Sequence, residues 1–157
     1  MEYCELMRQF GAKVGLPDLA PDETGVCRVG IDDMLVLFRE DVETSRIMVW
    51  AEVGEPPPEG RERLYLLLME SMFMGQATGG ATFSIESESG KVYLQRMEFL
   101  SALDADSFTG LLEKFVNLLE EWRRIIVDFR PVAEAIKKEA DAAESESDFR
   151  TGGYLQV

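Results

Sequence analysis

A helix that is apolar on every side is the strongest constraint this chain sets on its own folding. Residues Arg61-Glu62-Arg63-Leu64-Tyr65-Leu66-Leu67-Leu68-Met69-Glu70-Ser71-Met72-Phe73-Met74 hold strong helix formers and no β-branched residue, with Pro56-Pro57-Pro58 before them and Gly75 after. A surface helix needs one apolar stripe; one with apolar residues all round must be covered all round. A chain of 157 residues has little material for such a wrapping. A second subunit is the expected cover, with Tyr65, Leu66, Met69, Met72 and Phe73 in the contact; the alternative is that the third helix covers this face within one chain. Burying four or five large side chains contributes about 6–15 kcal/mol per subunit, at roughly 1.5–3 kcal/mol each. Counted twice in a two-fold pair, that outweighs an association cost of about 4–15 kcal/mol.

The rest of the composition narrows the function classes. The length suits one domain with a real core, here 1–130, followed by a helical and acidic extension over 131–157. Net charge is −14, which argues against nucleic acid, whose binding needs Lys and Arg against phosphate, and against an anionic membrane surface. No apolar run approaches a membrane span, and Met1-Glu2-Tyr3-Cys4-Glu5 lacks the features of a signal peptide, so the expected location is the cytoplasm. There is no histidine, which removes the commonest general base and the usual zinc ligand sets. The expectation is a protein that is not an enzyme and carries no metal or cofactor. Cys4 and Cys27 read as small buried hydrophobes.

In chain order, residues 2–14 form a first helix, with Tyr3, Leu6, Met7, Phe10 and Val14 on one stripe, ended by Gly15 and Pro17. Three strands follow as an antiparallel meander: Val26 to Ile31, Met34 to Arg39 after an Asp32-Asp33 turn, and Arg46 to Val53. Met34, Val36, Phe38, Met48 and Trp50 are read together as a second apolar face, either covered by helices or open as a groove for a partner segment. After the central helix come strands Ala81 to Glu86 and Lys91 to Met97, with a Ser87–Gly90 turn between them. Asp104 is the expected N-cap of a long third helix whose stripe is Phe108, Leu111, Leu112, Phe115, Leu119, Trp122 and Ile126, broken at Pro131. Beyond it, Val132, Ala133 and Ile136 suggest a short helix, Ala140–Asp148 is acidic, and Thr151–Val157 reads first as an ordinary terminus, the alternative being a short extended piece that lies in an apolar groove of its own or a neighbouring molecule.

Two motifs invite a chemical reading and do not sustain it. Gly75-Gln76-Ala77-Thr78-Gly79-Gly80 lacks the Gly-Lys-Ser/Thr ending of a phosphate loop, and it follows a helix rather than opening one. Its glycines suit a tight corner instead. Carboxylate pairs such as Asp32-Asp33 and Glu120-Glu121 are what this acidity yields by chance, and no stretch has calcium-loop spacing.

The order helix, three strands, helix, two strands, helix, together with Leu66 through Leu94, carries a family resemblance. In that stretch the apolar helix is followed by Met74-Gly75-Gln76-Ala77-Thr78-Gly79-Gly80-Ala81-Thr82-Phe83-Ser84-Ile85 and Gly90-Lys91-Val92-Tyr93-Leu94; Leu6, Phe10 and Val14 before Leu16-Pro17 add to it. Over residues 2–126 the chain resembles the class I chaperones of type III secretion systems, the Tir-chaperone family. The resemblance implies an α+β fold, a two-layer α/β arrangement with one five-stranded antiparallel sheet in order 1-2-3-5-4. It also implies a homodimer built on the second helix and the strand at Ala81 and Phe83, without catalysis. The implied partner is a secreted effector protein, whose N-terminal non-globular segment lies in apolar grooves, partly as an added strand. Carried over by position, that site falls on Leu6, Phe10 and Val14 of the first helix and on Leu35, Leu37, Met48 and Trp50 of the strands. The competing readings are a regulator or general protein-interaction module on the same fold, and a small enzyme or nucleotide-binding protein.

Overall fold

The first helix closes on a glycine and then folds the chain back over itself. In the computed structural model, which describes residues 2–130, α1 spans Tyr3–Val14 and ends at Gly15, whose φ of 80° is the left-handed cap that glycine adopts without strain. The chain then crosses α1 so closely that a Cβ on Gly11 would overlap the Leu16 carbonyl oxygen and lie 2.8 Å from the Leu19 Cβ. Tyr3, Leu6, Met7 and Phe10 form the buried stripe, while Val14 and Leu16 stay largely exposed. The Tyr3 hydroxyl donates to the Phe38 carbonyl at 2.9 Å, and burial pushes this phenol well above its ordinary pKa.

Strands β1 (Val26–Ile31), β2 (Met34–Asp41) and β3 (Arg46–Gly54) form the meander, and β4 (Thr82–Ile85) and β5 (Val92–Phe99) complete one antiparallel sheet in the order β1-β2-β3-β5-β4. Among the described residues its free edges are therefore β1 and β4. The register pairs Val36 with Ala51 and Phe38 with Val49, but Leu37 with Trp50 and Arg39 with Met48. Side chains alternate along a strand, so Met34, Val36 and Phe38 share the core face with Ile47, Val49, Ala51 and Val53, all buried. They do not share a face with Met48 and Trp50, as grouped from the sequence alone. Met48 and Trp50 lie instead on the outer face, opposite Arg39 and Leu37, the face that Leu35 also shares.

The helical layer covers only the core face. Phe10 of α1, Phe38 of β2 and Phe108 of α3 (Ala105–Asp128) meet edge-to-face, with ring centroids 5.0–6.2 Å apart. Asp104 caps α3 reciprocally with Ser107: the Ser107 amide donates to the Asp104 carboxylate at 2.8 Å, and the Asp104 amide donates to the Ser107 hydroxyl at 2.9 Å. The α3 stripe is buried as the sequence predicts except for Leu111, which is half-buried. Central helix α2 (Arg61–Ser71) buries only Leu64 and Leu68 and stops three residues earlier than predicted. Phe73–Gly75 is a separate 3-10 turn in which Met74 takes a φ of 58°, and that left-handed step breaks the helix.

Two further readings change. Cys27 is buried but Cys4 is exposed, because position 4 lies on the solvent side of α1, beside the stripe rather than on it. Ala81, just before β4, is a core residue, and Phe83 turns inward to lie 4.8 Å from Trp122 of α3. The sequence-read helix near Val132, the acidic stretch Ala140–Asp148 and the piece Thr151–Val157 lie outside the described residues.

Two predictions follow from these elements. Gly11→Ala is expected to destabilise the fold by about 1–3 kcal/mol through overpacking against the Leu16–Leu19 crossing, in spite of alanine's higher helix propensity; a lower urea midpoint at unchanged m-value checks it. The carboxyls of Asp104, Glu86, Asp41 and Glu5 are all held below their ordinary range, each chiefly by side-chain hydrogen bonds, from Ser107, Ser89, Thr44 and Arg8 respectively. Depressed folded-state values contribute stability that is complete above about pH 4 and is lost as pH falls through them. With no histidine to titrate, Tm should stay flat from about pH 5 to 8 and fall below about pH 4, and Asp104→Asn should make that acid limb shallower.

Candidate functional site

Among the described residues three apolar surfaces are uncovered, and none of them resembles a catalytic pocket. The first is a groove of about 630 Å³ where α1, the β1 edge and α3 meet, lined by Phe10, Val14, Leu16, Val29, Ile31, Leu112 and Val116, with Thr109, Glu113 and Asn117 as its polar side chains. Phe10 and Val29 are almost wholly buried beneath it, whereas Val14 and Leu16 are open at its rim.

The second surface is the outer face of the sheet. The pairings place Arg28, Leu37, Trp50, Gln95 and Thr82 in one row across all five strands. Arg39, Met48 and Met97 form the next row, and Asp41, Arg46 and Phe99 the one after. Leu35 is 51% exposed, and Leu37, Met48 and Trp50 are half-buried. A shallow cleft of about 370 Å³ opens beside Met48 and Trp50, walled by Arg39, Tyr93 and Gln95. The Arg46 guanidinium lies 4.2 Å from the Phe99 ring centroid and shields the rim of this face.

The third surface is built by α2 and the turn after it. Leu66, Met69, Phe73 and Met74 are exposed by 56–77%, four large apolar side chains within nine residues. The turn holds its shape through Gly75, Gly79 and Gly80, all at positive φ, and through Arg96, whose guanidinium donates to the Gly79 carbonyl at 2.8 Å. The Phe83 amide of β4 points at the Met72 sulfur, 3.1 Å away, tying this turn to the sheet edge.

The sequence-derived site residues divide on these surfaces. Leu35, Leu37, Met48 and Trp50 come together on the outer face, and Val14 stands at the groove rim. Leu6 is wholly buried and Phe10 nearly so, which makes Leu6 a core residue and Phe10 the floor of the groove rather than a free contact. Leu66, Met69 and Phe73 are exposed on the third surface, Tyr65 and Met72 are half-buried, and Ala81 and Phe83 face inward. Missed from the sequence were Val116 and Ile31 in the groove, Met74 beside Phe73, and Met97 and Phe99 on the outer face. Val116 sits four residues after Leu112 on the flank of the α3 stripe, a spacing that could have marked it.

Among the described residues no group of His, Cys, Asp or Glu is placed to hold a metal ion, and no helix is long and apolar enough to cross a membrane. What the geometry offers is binding surface: grooves, free strand edges and an apolar helix face.

This one-sheet, three-helix architecture is that of the type III secretion chaperones. Residues 5–123 match the model of the Tir chaperone protein (CesT) family, and the chain belongs to that family. A Chlamydia pneumoniae protein is 27% identical over 113 residues, covering 71% of this chain and 85% of its own length. The fold matches the HopA1–SchA chaperone–effector complex with a TM-score of 0.67 at 16% identity, over 78% of this chain and 93% of the matched one. It matches the ExsC–ExsE complex with a TM-score of 0.69 at 22% identity, over 80% and 97%. The Yersinia pestis type III secretion chaperone SycH, solved with a fragment of YscM2, matches with a TM-score of 0.61 at 17% identity, over 77% and 99%.

Proposed function

We propose that this protein is a cytoplasmic, dimeric chaperone that acts by binding alone, holding the N-terminal non-globular segment of a type III secreted effector in a secretion-competent state. The observation that carries the reading is the outer sheet face, where Leu35, Leu37, Met48 and Trp50 share one uncovered surface on a chain of this family. A segment that becomes ordered on binding costs about 2–5 kcal/mol or more, so a chaperone must offer a wide apolar area to offset it. Free strand edges add backbone hydrogen bonds that do not depend on the client's sequence, while alternating pockets select side chains. Methionine suits varied clients because its side chain is flexible and polarisable; Met48 and Met97 pair across β3 and β5 on this face. The likeness of this fold to the HopA1–SchA chaperone–effector complex supports an effector as the partner.

Dimerisation is assigned to the third surface. Leu66, Met69, Phe73 and Met74 would bury about 6–12 kcal/mol of apolar transfer energy per subunit, at roughly 1.5–3 kcal/mol each, enough on doubling to outweigh an association cost of about 4–15 kcal/mol. Their exposure in the single chain makes the test clean. Phe73 is 75% exposed, so Phe73→Asp should leave the subunit folded yet convert a dimer to monomer by light scattering, because the charge would lie unpaired in the contact. A dimer that survives it refutes this interface.

The client reading is tested by co-expression with a candidate effector encoded nearby, then co-purification and limited proteolysis. An N-terminal client region of about 50–100 residues, a span suited to an extended interface, should become protected. Leu35→Asp should weaken capture at least tenfold while leaving assembly unchanged. A client that gains no protection rules the reading out.

A further inference from the structure

The groove between α1, β1 and α3 lies on the wall of the same helix from which the remaining chain departs. Its floor is Phe10, Val29 and Leu112, and its lips are Val14, Ile31 and Val116. Beside it runs β1, an edge strand whose outward amides and carbonyls have no partner strand among the described residues. We propose that the chain's own segment Phe149–Val157 docks in this groove as an extended strand along β1, and so competes with a client for it. The competitive role rests on the function proposed above; the docking itself does not.

Reach favours this occupant. From Asn117, at the groove, to Asp128, where α3 ends, the helix advances about 17 Å, at 1.5 Å per residue. Residues 131–153 intervene before Tyr154. A span of that length covers about 25 Å as a root-mean-square distance without regular structure, and about 75 Å when extended. The match between distance and span gives a local concentration on the order of millimolar, so even a weak contact would be populated. The outer face of the sheet is less accessible to this segment, since α3 lies on the opposite side.

Chemistry selects the same piece. Residues 131–148 are dominated by Ala, Glu, Lys and Asp, whereas Phe149–Val157 has no acidic residue, one arginine and four large apolar side chains. In a chain of net charge −14 that is an unusual composition. Arg150 complements Glu113, an exposed carboxylate at the groove that forms no salt bridge among the described residues. With a strand's period of two, Leu155 and Val157 fall on one side and can enter the groove. Gly152 and Gly153 allow the backbone to come close to the β1 edge.

The test uses the full chain without a client. Tyr154→Ser, Leu155→Ser and Val157→Ser are combined, and the methyl NMR resonances of Val29, Ile31 and Val116 are compared with wild type. These resonances should shift in the variant, and a peptide with the sequence of residues 149–157 should move them back, binding the variant about tenfold more tightly than the wild type, whose groove is already filled. Superimposable spectra, or a peptide that binds neither form or both equally, overturn the proposal. Wild-type shifts that vanish on dilution overturn its intramolecular form in favour of exchange between copies. Because no client is present, failure to capture an effector leaves this result standing, and a negative result here leaves the client reading intact.

Discussion

The meeting of Phe10, Phe38 and Phe108 fastens α1 and α3 to one face of the sheet, and the other surfaces follow from that one-sided attachment. A chain this size has enough apolar surface for one dry interface between sheet and helices. Once Ile47, Val49, Val36 and Leu94 are spent on that interface with the α3 stripe, nothing among the described residues remains to cover the outer face or the far side of α2. The exposed apolar residues are therefore gathered on particular faces rather than scattered, which is the distribution expected of binding surfaces.

The charge distribution fits the same division of labour. The ion pairs are peripheral: Lys91 with Glu52, Arg123 with Asp33, and Arg96 with Glu98 sit at strand and helix margins with partly exposed side chains. Such pairs contribute little stability individually. The core is instead almost wholly apolar, with Thr78 the one buried polar side chain of note among the described residues. A strongly acidic exterior over such a core favours solubility even with apolar faces uncovered.

Much of this was legible in the sequence because the helices and strands differ so clearly in period. Tyr3, Leu6, Met7 and Phe10 repeat at helical spacing, Ile47, Val49, Ala51 and Val53 repeat at two, and Asp104 marks the start of α3; all took the expected places. Period alone could not fix which face of β2 opposes which face of β3. Both faces of β2 are apolar, so only the pairing register could join Leu37 to Trp50 and send Phe38 to the core. Likewise the all-round apolar character of α2 announced an uncovered face, but not that Met74 would break the helix by turning left-handed. The inward turn of Phe83 depends on its contact with Trp122 of α3, about forty residues away along the chain, which no local pattern contains.

The two free edges of the sheet lie at opposite ends, β1 beside the groove and β4 beside the α2 turn. Strands stand about 4.8 Å apart, so some 19 Å separates one end from the other. In the pairing proposed, two copies joined near α2 would hold their β1 edges outermost, on the order of 40–50 Å from each other. A single polypeptide engaging both would have to run at least about 12–15 residues fully stretched, at roughly 3.3 Å per residue. The assembly would thus act as a ruler, selecting for the stretch between two adhesive stations on its cargo as well as for their side chains.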